Sequence, residues 1–177
     1  MHGFRANAVT MFHVLEHLSL PVEGLVAVQQ LLAPGGLLVL ETPNLESWPS
    51  KLFRSRWCTL DAPRHLNLFS RDTLQRCVQQ AGFRLLNLRT VSPSTIEYSE
   101  SLRIMLRDLR ICRYRYKMQN GLVKAEKQTH NRRAEPSHSA LEGKALLHSV
   151  ERIFYRLLNR IAERCGAGCN LLLVACK

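Results

Sequence analysis

Two short apolar runs, Ala8-Val9-Thr10-Met11-Phe12 and Leu37-Leu38-Val39-Leu40-Glu41, stand on either side of a helical pattern, and that spacing admits few folds. Each run is of the apolar, β-branched kind expected of a strand buried on both faces in a parallel sheet. Between them Ser19 with Pro21 opens a helix, because proline fits a first turn where its missing N–H costs nothing. Leu25, Val28, Leu31 and Leu32 then recur on one helical face, and Pro34-Gly35-Gly36 stops the helix and turns the chain. Strand, helix and strand of this length make a βαβ unit, right-handed like nearly all such crossovers. The fold class is α/β, and the length of 177 residues suits one domain.

Beyond the second strand, Thr42 to Phe69 has no sustained periodicity but holds Pro43, Trp48, Pro49, Trp57, Pro63, His65 and Phe69. A long loop of this composition directly after a strand's carboxyl end is expected to be functional, as a lid over a substrate. Ser70 caps the next helix, with Leu74, Cys77, Val78 and Ala81 inward and Gly82 as its left-handed stop. Phe83 to Val91 alternates, with a slip at Leu86, as a strand solvated on one side; Asn170 to Lys177 reads as a last strand.

Between these last two strands lies a basic segment. Of the formal charge of +11, residues 1–100 carry 9 Lys+Arg against 8 Asp+Glu, whereas residues 101–177 carry 16 against 6. Leu102, Met105, Leu106, Leu109 and Cys112 form one apolar stripe opposite Arg103, Arg107 and Arg110; Val150, Ile153, Phe154, Leu157, Leu158 and Ile161 form another. The plain expectation is that the two stripes pack on each other and leave the arginines in solvent. The alternative is a non-enzymatic module whose basic helices lie on an anionic membrane or on nucleic acid. Gln119 to Ser139, joining them, is polar and expected to be mobile.

The longest apolar runs, such as Leu171 to Cys176, fall far short of the roughly 20 residues a bilayer span needs, and no charged-then-apolar leader is present. A cytoplasmic protein is expected, at most peripheral to a membrane. The six cysteines, with no C-x-x-C pair or zinc-finger partner, read as reduced thiols.

Polar groups appear abruptly where the first strand ends, at His13 and Glu16-His17, and in open α/β sheets the functional crevice lies beyond the carboxyl ends of the strands. The ordered set "VTMFHVLEHL", "LLAPGGLLVLETPN", "W..LDAPRHLNLFS", "LQRCVQQAGF" and closing "NLLLVACK" resembles the class I S-adenosylmethionine-dependent methyltransferases, in particular the ubiquinone-type O-methyltransferases. The resemblance is dense over residues 4–91 and returns at 170–177. It implies a partial Rossmann-like sheet whose strands resemble the fourth to seventh of the family, with the last antiparallel to the sixth. Residues 1–95 and 166–177 would form this partial domain and 96–165 the basic helical insertion.

The resemblance implies S-adenosyl-L-methionine as cofactor and a hydroxyl or similar group of a small-molecule, lipid-linked or saccharide acceptor as substrate. Phe12, His13 and Val14 would line the cofactor's methionine end, although Phe12 also reads as plain core and His13 as a strand-end hydrogen-bonder. His17 and His65 are the candidate bases, since removing a hydroxyl proton suits a group with a pKa near neutrality. Glu16, Trp57 and Arg64 fall on the acceptor side, with packing as the alternative for Trp57. His13-x-x-Glu16-His17 has a spacing that can hold a divalent metal, but no metal is expected there.

The family's Gly-rich loop after its first strand, and the acidic residue after its second, have no counterpart in these 177 residues. The chain is therefore expected to be the C-terminal part of such an enzyme, inactive alone. Its first strand, normally central, would become an apolar edge that favours self-association.

Overall fold

A computed structural model describes residues 5–93, 96–119 and 153–177, with the backbone alone at 117–119. The chain runs β1 (Ala6–Phe12), α1 (Pro21–Leu31), β2 (Leu32–Pro43), α2 (Trp48–Phe53), α3 (Arg71–Gln80), β3 (Arg84–Val91), α4 (Ile96–Gln119), α5 (residues 153–164) and β4 (Asn170–Cys176). The four strands among the described residues form one sheet in the order β1-β2-β4-β3. β1 and β2 are parallel, Met11 facing Leu40; β4 lies antiparallel to both neighbours, Leu173 standing between Leu40 and Leu88. Strand, helix and strand form where the sequence predicts them, and the closing run is indeed a strand inserted beside β2.

The turn between α1 and β2 is tighter than the sequence suggests. Pro21 takes the first helical position as expected, but the N-cap is Leu20 and no side chain caps it. The strand begins at Leu32, immediately after the helix, and Leu31 points to solvent instead of joining the packed face. Pro34-Gly35-Gly36 lies inside β2 as an irregularity: while β1 advances from Ala6 to Ala8, its partner advances from Leu32 to Leu37. Gly35 takes φ 75°, and a Cβ on Gly36 would stand 2.9 Å from the Ala33 carbonyl and 3.2 Å from that of Ala6, so only glycine fits both positions without strain.

The core occupies one face of the sheet. Met11, Leu38, Leu40, Leu171, Leu173 and Ala175 project toward Leu25 of α1 and Leu74, Cys77 and Val78 of α3, with Phe69 and Phe83 closing the ends. The opposite face is only half covered, with Val39, Glu41, Leu172 and Val174 intermediate and Thr10 and Phe12 exposed. The expectation that both apolar runs are buried on both faces is thus corrected. Their alternate residues face away from the helices, and β1 has β2 as its sole strand partner among the described residues.

α3 matches its sequence signals closely. Ser70 Oγ accepts from Thr73 N at 3.2 Å and Thr73 Oγ1 from Ser70 N at 2.8 Å, a reciprocal cap, and Gly82 ends the turn at φ 85°. β3 shows the foreseen slip as a register shift between Leu85 and Asn87. The stretch read as a loop, by contrast, contains α2, capped by Ser47, and two single 3-10 turns at Arg54–Arg56 and Cys58–Leu60. These pieces are too short for periodicity to reveal.

α4 and α5 are corrected more substantially. Leu106, Leu109 and Cys112, and on the other helix Ile153, Phe154, Leu157 and Ile161, are exposed, so these stripes do not pack on each other. α4 docks instead through a polar column: Glu97 accepts from Trp57 Nε1 (3.0 Å), Ser101 Oγ from Cys58 N (3.0 Å), and Asp108 pairs with Arg56 Nε (3.0 Å). α5 turns Asn159 and Ala162 inward, and Tyr155 stacks on Tyr98 of α4 at 5.2 Å between ring centroids. Val150 and residues 120–139 of the expected mobile joint lie outside the described residues. All six cysteines carry free thiols. No helix among the described residues is long and apolar enough to cross a membrane.

Because Leu173 is fully buried in the strand shared by both halves of the sheet, Leu173→Ala should lower unfolding stability by about 3 kcal/mol, within the range for buried leucine truncations. Urea titration followed by circular dichroism checks this; a loss below about 1 kcal/mol would mean that β4 is not packed as described.

Candidate functional site

At the carboxyl end of β1 the backbone bends sharply: His13 adopts φ 53°, in the left-handed region that a non-glycine residue occupies only when its surroundings hold it there. What holds it is on both sides. Its N–H donates to the Glu41 carbonyl at 2.9 Å, extending the β1–β2 ladder by one residue, and its Nδ1 donates to Glu16 Oε1 at 3.1 Å. Its Nε2 faces Asn170 Nδ2 at 3.4 Å and Glu41 Oε1 at 3.7 Å, and Asn170 Nδ2 donates to Glu41 Oε1 at 2.6 Å. Three strand ends thereby meet around one imidazole.

Glu16 lies in a single 3-10 turn, Leu15–His17, and is fully buried. Its Oε2 accepts from Thr42 Oγ1 at 3.0 Å, so both carboxylate oxygens have partners. Burial pushes its pKa up, but the hydrogen bonds from His13, from its own backbone and from Thr42 together outweigh that and hold the carboxyl below its ordinary value. The hydrogen bond to Glu16 raises the His13 pKa, against the lowering effect of burial, with the charges of Glu16, Glu41 and Glu97 adding to the rise.

His17 and His65 stand 48 positions apart in sequence and meet with ring centroids 4.8 Å apart. His17 Nδ1 lies 2.9 Å from the Arg64 carbonyl and His65 Nδ1 lies 2.6 Å from that of Thr59. A carbonyl oxygen can only accept, so both rings carry a hydrogen on Nδ1, and the neutral form of each ring has its lone pair on Nε2. Glu16, His17 and His65 offer ligand atoms that all lie within 4.8 Å of one another. His13, which the sequence motif offers as a metal ligand, is instead bonded to Glu16.

Beside this cluster a cleft of about 230 Å³ is lined by His13, Pro43, Thr59, His65, Pro93, Ile96, Glu97 and Asn170. Glu97 is the member that sequence reasoning missed. Its carboxylate, in the cleft wall, holds the Trp57 indole, and burial pushes its pKa above the ordinary carboxylate value despite that bond. A signal existed: Glu97, Ser101 and Asp108 recur on one face of α4, and all three bind residues 56–58. Thr42, Glu41 and Asn170 were likewise unseen, because strand-end polar residues acquire meaning only once register sets them side by side.

Of the candidate residues, His13, Glu16, His17 and His65 are brought together. Phe12 and Val14 are exposed and do not line the cleft. Arg64 pairs with Asp61 in solvent, its contribution to the site being the carbonyl that orients His17. Trp57 is buried behind Glu97 and outside the cleft.

Residues 3–88 match the family model described as a methyltransferase domain. The chain is also similar to solved structures described as S-adenosylmethionine-dependent methyltransferases. One from Thermotoga maritima, described as a possible histamine N-methyltransferase, is 12% identical with a TM-score of 0.50, over 98% of this chain and 58% of its own. Another, from Archaeoglobus fulgidus, is 17% identical with a TM-score of 0.48, over 98% and 60% respectively. The chain thus spans about 60% of the length of these structures. Among curated proteins none matches.

The ion pair between His13 and Glu16 dictates a pH response. Its stabilisation is lost as pH falls through the lowered Glu16 pKa, and also as pH rises through the raised His13 pKa. In an NMR titration His13 should therefore titrate above the ordinary histidine value, and Glu16→Gln should bring it back down and destabilise the protein by about 1–3 kcal/mol. An unchanged His13 titration in Glu16→Gln would show that this pair does not form.

Proposed function

We propose that this chain supplies the acceptor side of an S-adenosylmethionine-dependent methyltransferase, acting on a hydroxyl or similar group of a small-molecule, lipid-linked or saccharide acceptor. The observation carrying the reading is that the cleft opens where β1 and β2 end and has the His65 imidazole in its wall, Nδ1–H fixed and Nε2 free. Its similarity over residues 3–88 to a methyltransferase domain points the same way.

The residues present fit part of such a cofactor. The cleft, with Glu97 in its wall and Glu41 behind His13, suits a cationic, compact reacting end. A whole nucleotide is larger, since pockets for such ligands run to about 300–1,000 Å³. These 177 residues contain no Gly-rich turn after a strand that could let backbone N–H groups approach a nucleotide. The reading therefore includes that this chain alone does not transfer methyl groups, and that its strands correspond to the fourth to seventh of the family.

When bound, adenosylmethionine supplies an electrophilic methyl carbon on a sulfonium. His65 Nε2 is oriented to take the acceptor's hydroxyl proton, and His17, packed against it, fixes the ring's position. Glu41, itself fixed by the hydrogen bond from Asn170 Nδ2, faces His13 Nε2 at the strand edge, where the His13 ring closes one side of the cleft.

Isothermal calorimetry with adenosylmethionine separates the parts of this reading. No heat is expected from the 177-residue chain, and saturable heat from a version preceded by an N-terminal segment that carries a strand and a Gly-rich turn. Heat from the chain alone would overturn the missing cradle, and no heat from either would overturn the cofactor. In the version that binds, His65→Ala should lower kcat by about 10²-fold or more, with cofactor affinity unchanged.

A further inference from the structure

We propose that α4 and α5 form a docking surface for an anionic lipid membrane, a role that stands independently of methyl transfer. On α4, Leu102, Leu106 and Leu109 form a column at helical spacing, and Arg103, Arg107 and Arg110 form a second column one residue ahead of it. α5 repeats the arrangement, with Ile153, Leu157 and Ile161 beside Arg156, Arg160 and Arg164. The two columns lie about 100° apart around the axis of α4, not opposite as the sequence pattern suggests, and about 60° apart on α5.

Neither column is needed to hold its helix. α4 is anchored by Glu97, Ser101 and Asp108, and α5 by its inward Asn159, Ala162 and Tyr155. Ile153, Phe154, Leu157 and Ile161 are left 49% to 60% exposed, with Leu106 and Leu109 at 45% and 57%. Groups spaced i, i+4 and i+7 or i+8 on one helix form a continuous apolar stripe, the pattern of an interaction site that singly scattered exposed residues do not make.

The charges select the occupant. Of the acidic groups on these helices, Asp108 pairs with Arg56, Glu100 with Arg103, Glu97 holds Trp57 and Glu163 accepts from Ser92 N. Arg107, Arg110, Arg156, Arg160 and Arg164 are exposed and enter none of the ion pairs among the described residues. Such an array attracts a negatively charged surface. Nucleic acid would satisfy the arginines but leave the leucine and isoleucine columns in water. An anionic bilayer takes both: aliphatic groups enter the acyl boundary while arginine stems run up to the phosphates.

Flotation of the full 177-residue chain with vesicles of phosphatidylcholine alone, and of equimolar phosphatidylcholine and phosphatidylglycerol, tests this at low and high salt. The chain should float with the anionic vesicles only, and less at high salt. Leu157→Ser/Ile161→Ser and, separately, Arg156→Gln/Arg160→Gln should each weaken vesicle affinity about tenfold or more while leaving the circular dichroism spectrum unchanged. Leu106→Ser/Leu109→Ser repeats the aliphatic test on the other helix. No flotation with anionic vesicles at low salt would overturn the proposal. So would flotation indifferent to both serine variants, or retention of the chain by a DNA duplex but by no vesicle.

Discussion

Glu16 is the group on which the site depends. A carboxylate removed from water costs several kcal/mol unless its oxygens are satisfied, and here His13 takes one and Thr42 the other. Its backbone is recruited as well: the Glu16 carbonyl accepts from Leu66 N at 2.8 Å and Asn67 N at 3.1 Å, while Asn67 Nδ2 donates to the Leu18 carbonyl at 2.6 Å. One residue thus binds the end of β1 to the end of β2 and draws the segment after Pro63 across both. The meeting of His17 and His65 follows from that closure, because His65 immediately precedes the two residues bonded to Glu16.

The second constraint is the docking of α4 on residues 56–58. Glu97 is carried into the cleft wall by this contact, and it is there that burial raises its pKa. Cys169, nearby at the start of β4, shows the same setting: burial and the Glu97 charge push its thiol up to about 12, leaving it protonated and inert as a nucleophile. Burial beside the cleft therefore favours the neutral form of both groups.

How much of this was legible in the sequence differed by feature. The βαβ unit, the α3 cap and the β3 slip follow from local rules, because periodicity, capping chemistry and glycine conformation act within a few residues. The strand-end suspects His13, Glu16 and His17 were visible for the same reason, because they interrupt an apolar run, whereas His65 was reached through the resemblance of its loop to a methyltransferase motif. Which of them touch was not visible, since the His13–Glu16 and His17–His65 contacts depend on a left-handed turn at His13 and on a crossing loop. The expectation that the basic helices pack through their leucines was misled by hydrophobicity. α4 is held by a polar column, and the leucines it leaves exposed are what make a lipid surface a plausible partner on physical grounds.

The claim that Glu16 organises the strand edge is tested most directly by a double-mutant cycle between Glu16→Gln and Thr42→Val, read by chemical denaturation. Two groups that share one buried hydrogen bond should show a coupling energy of about 1 kcal/mol or more. Additivity within about 0.3–0.5 kcal/mol would contradict the account, leaving the ends of β1 and β2 held by the backbone ladder alone.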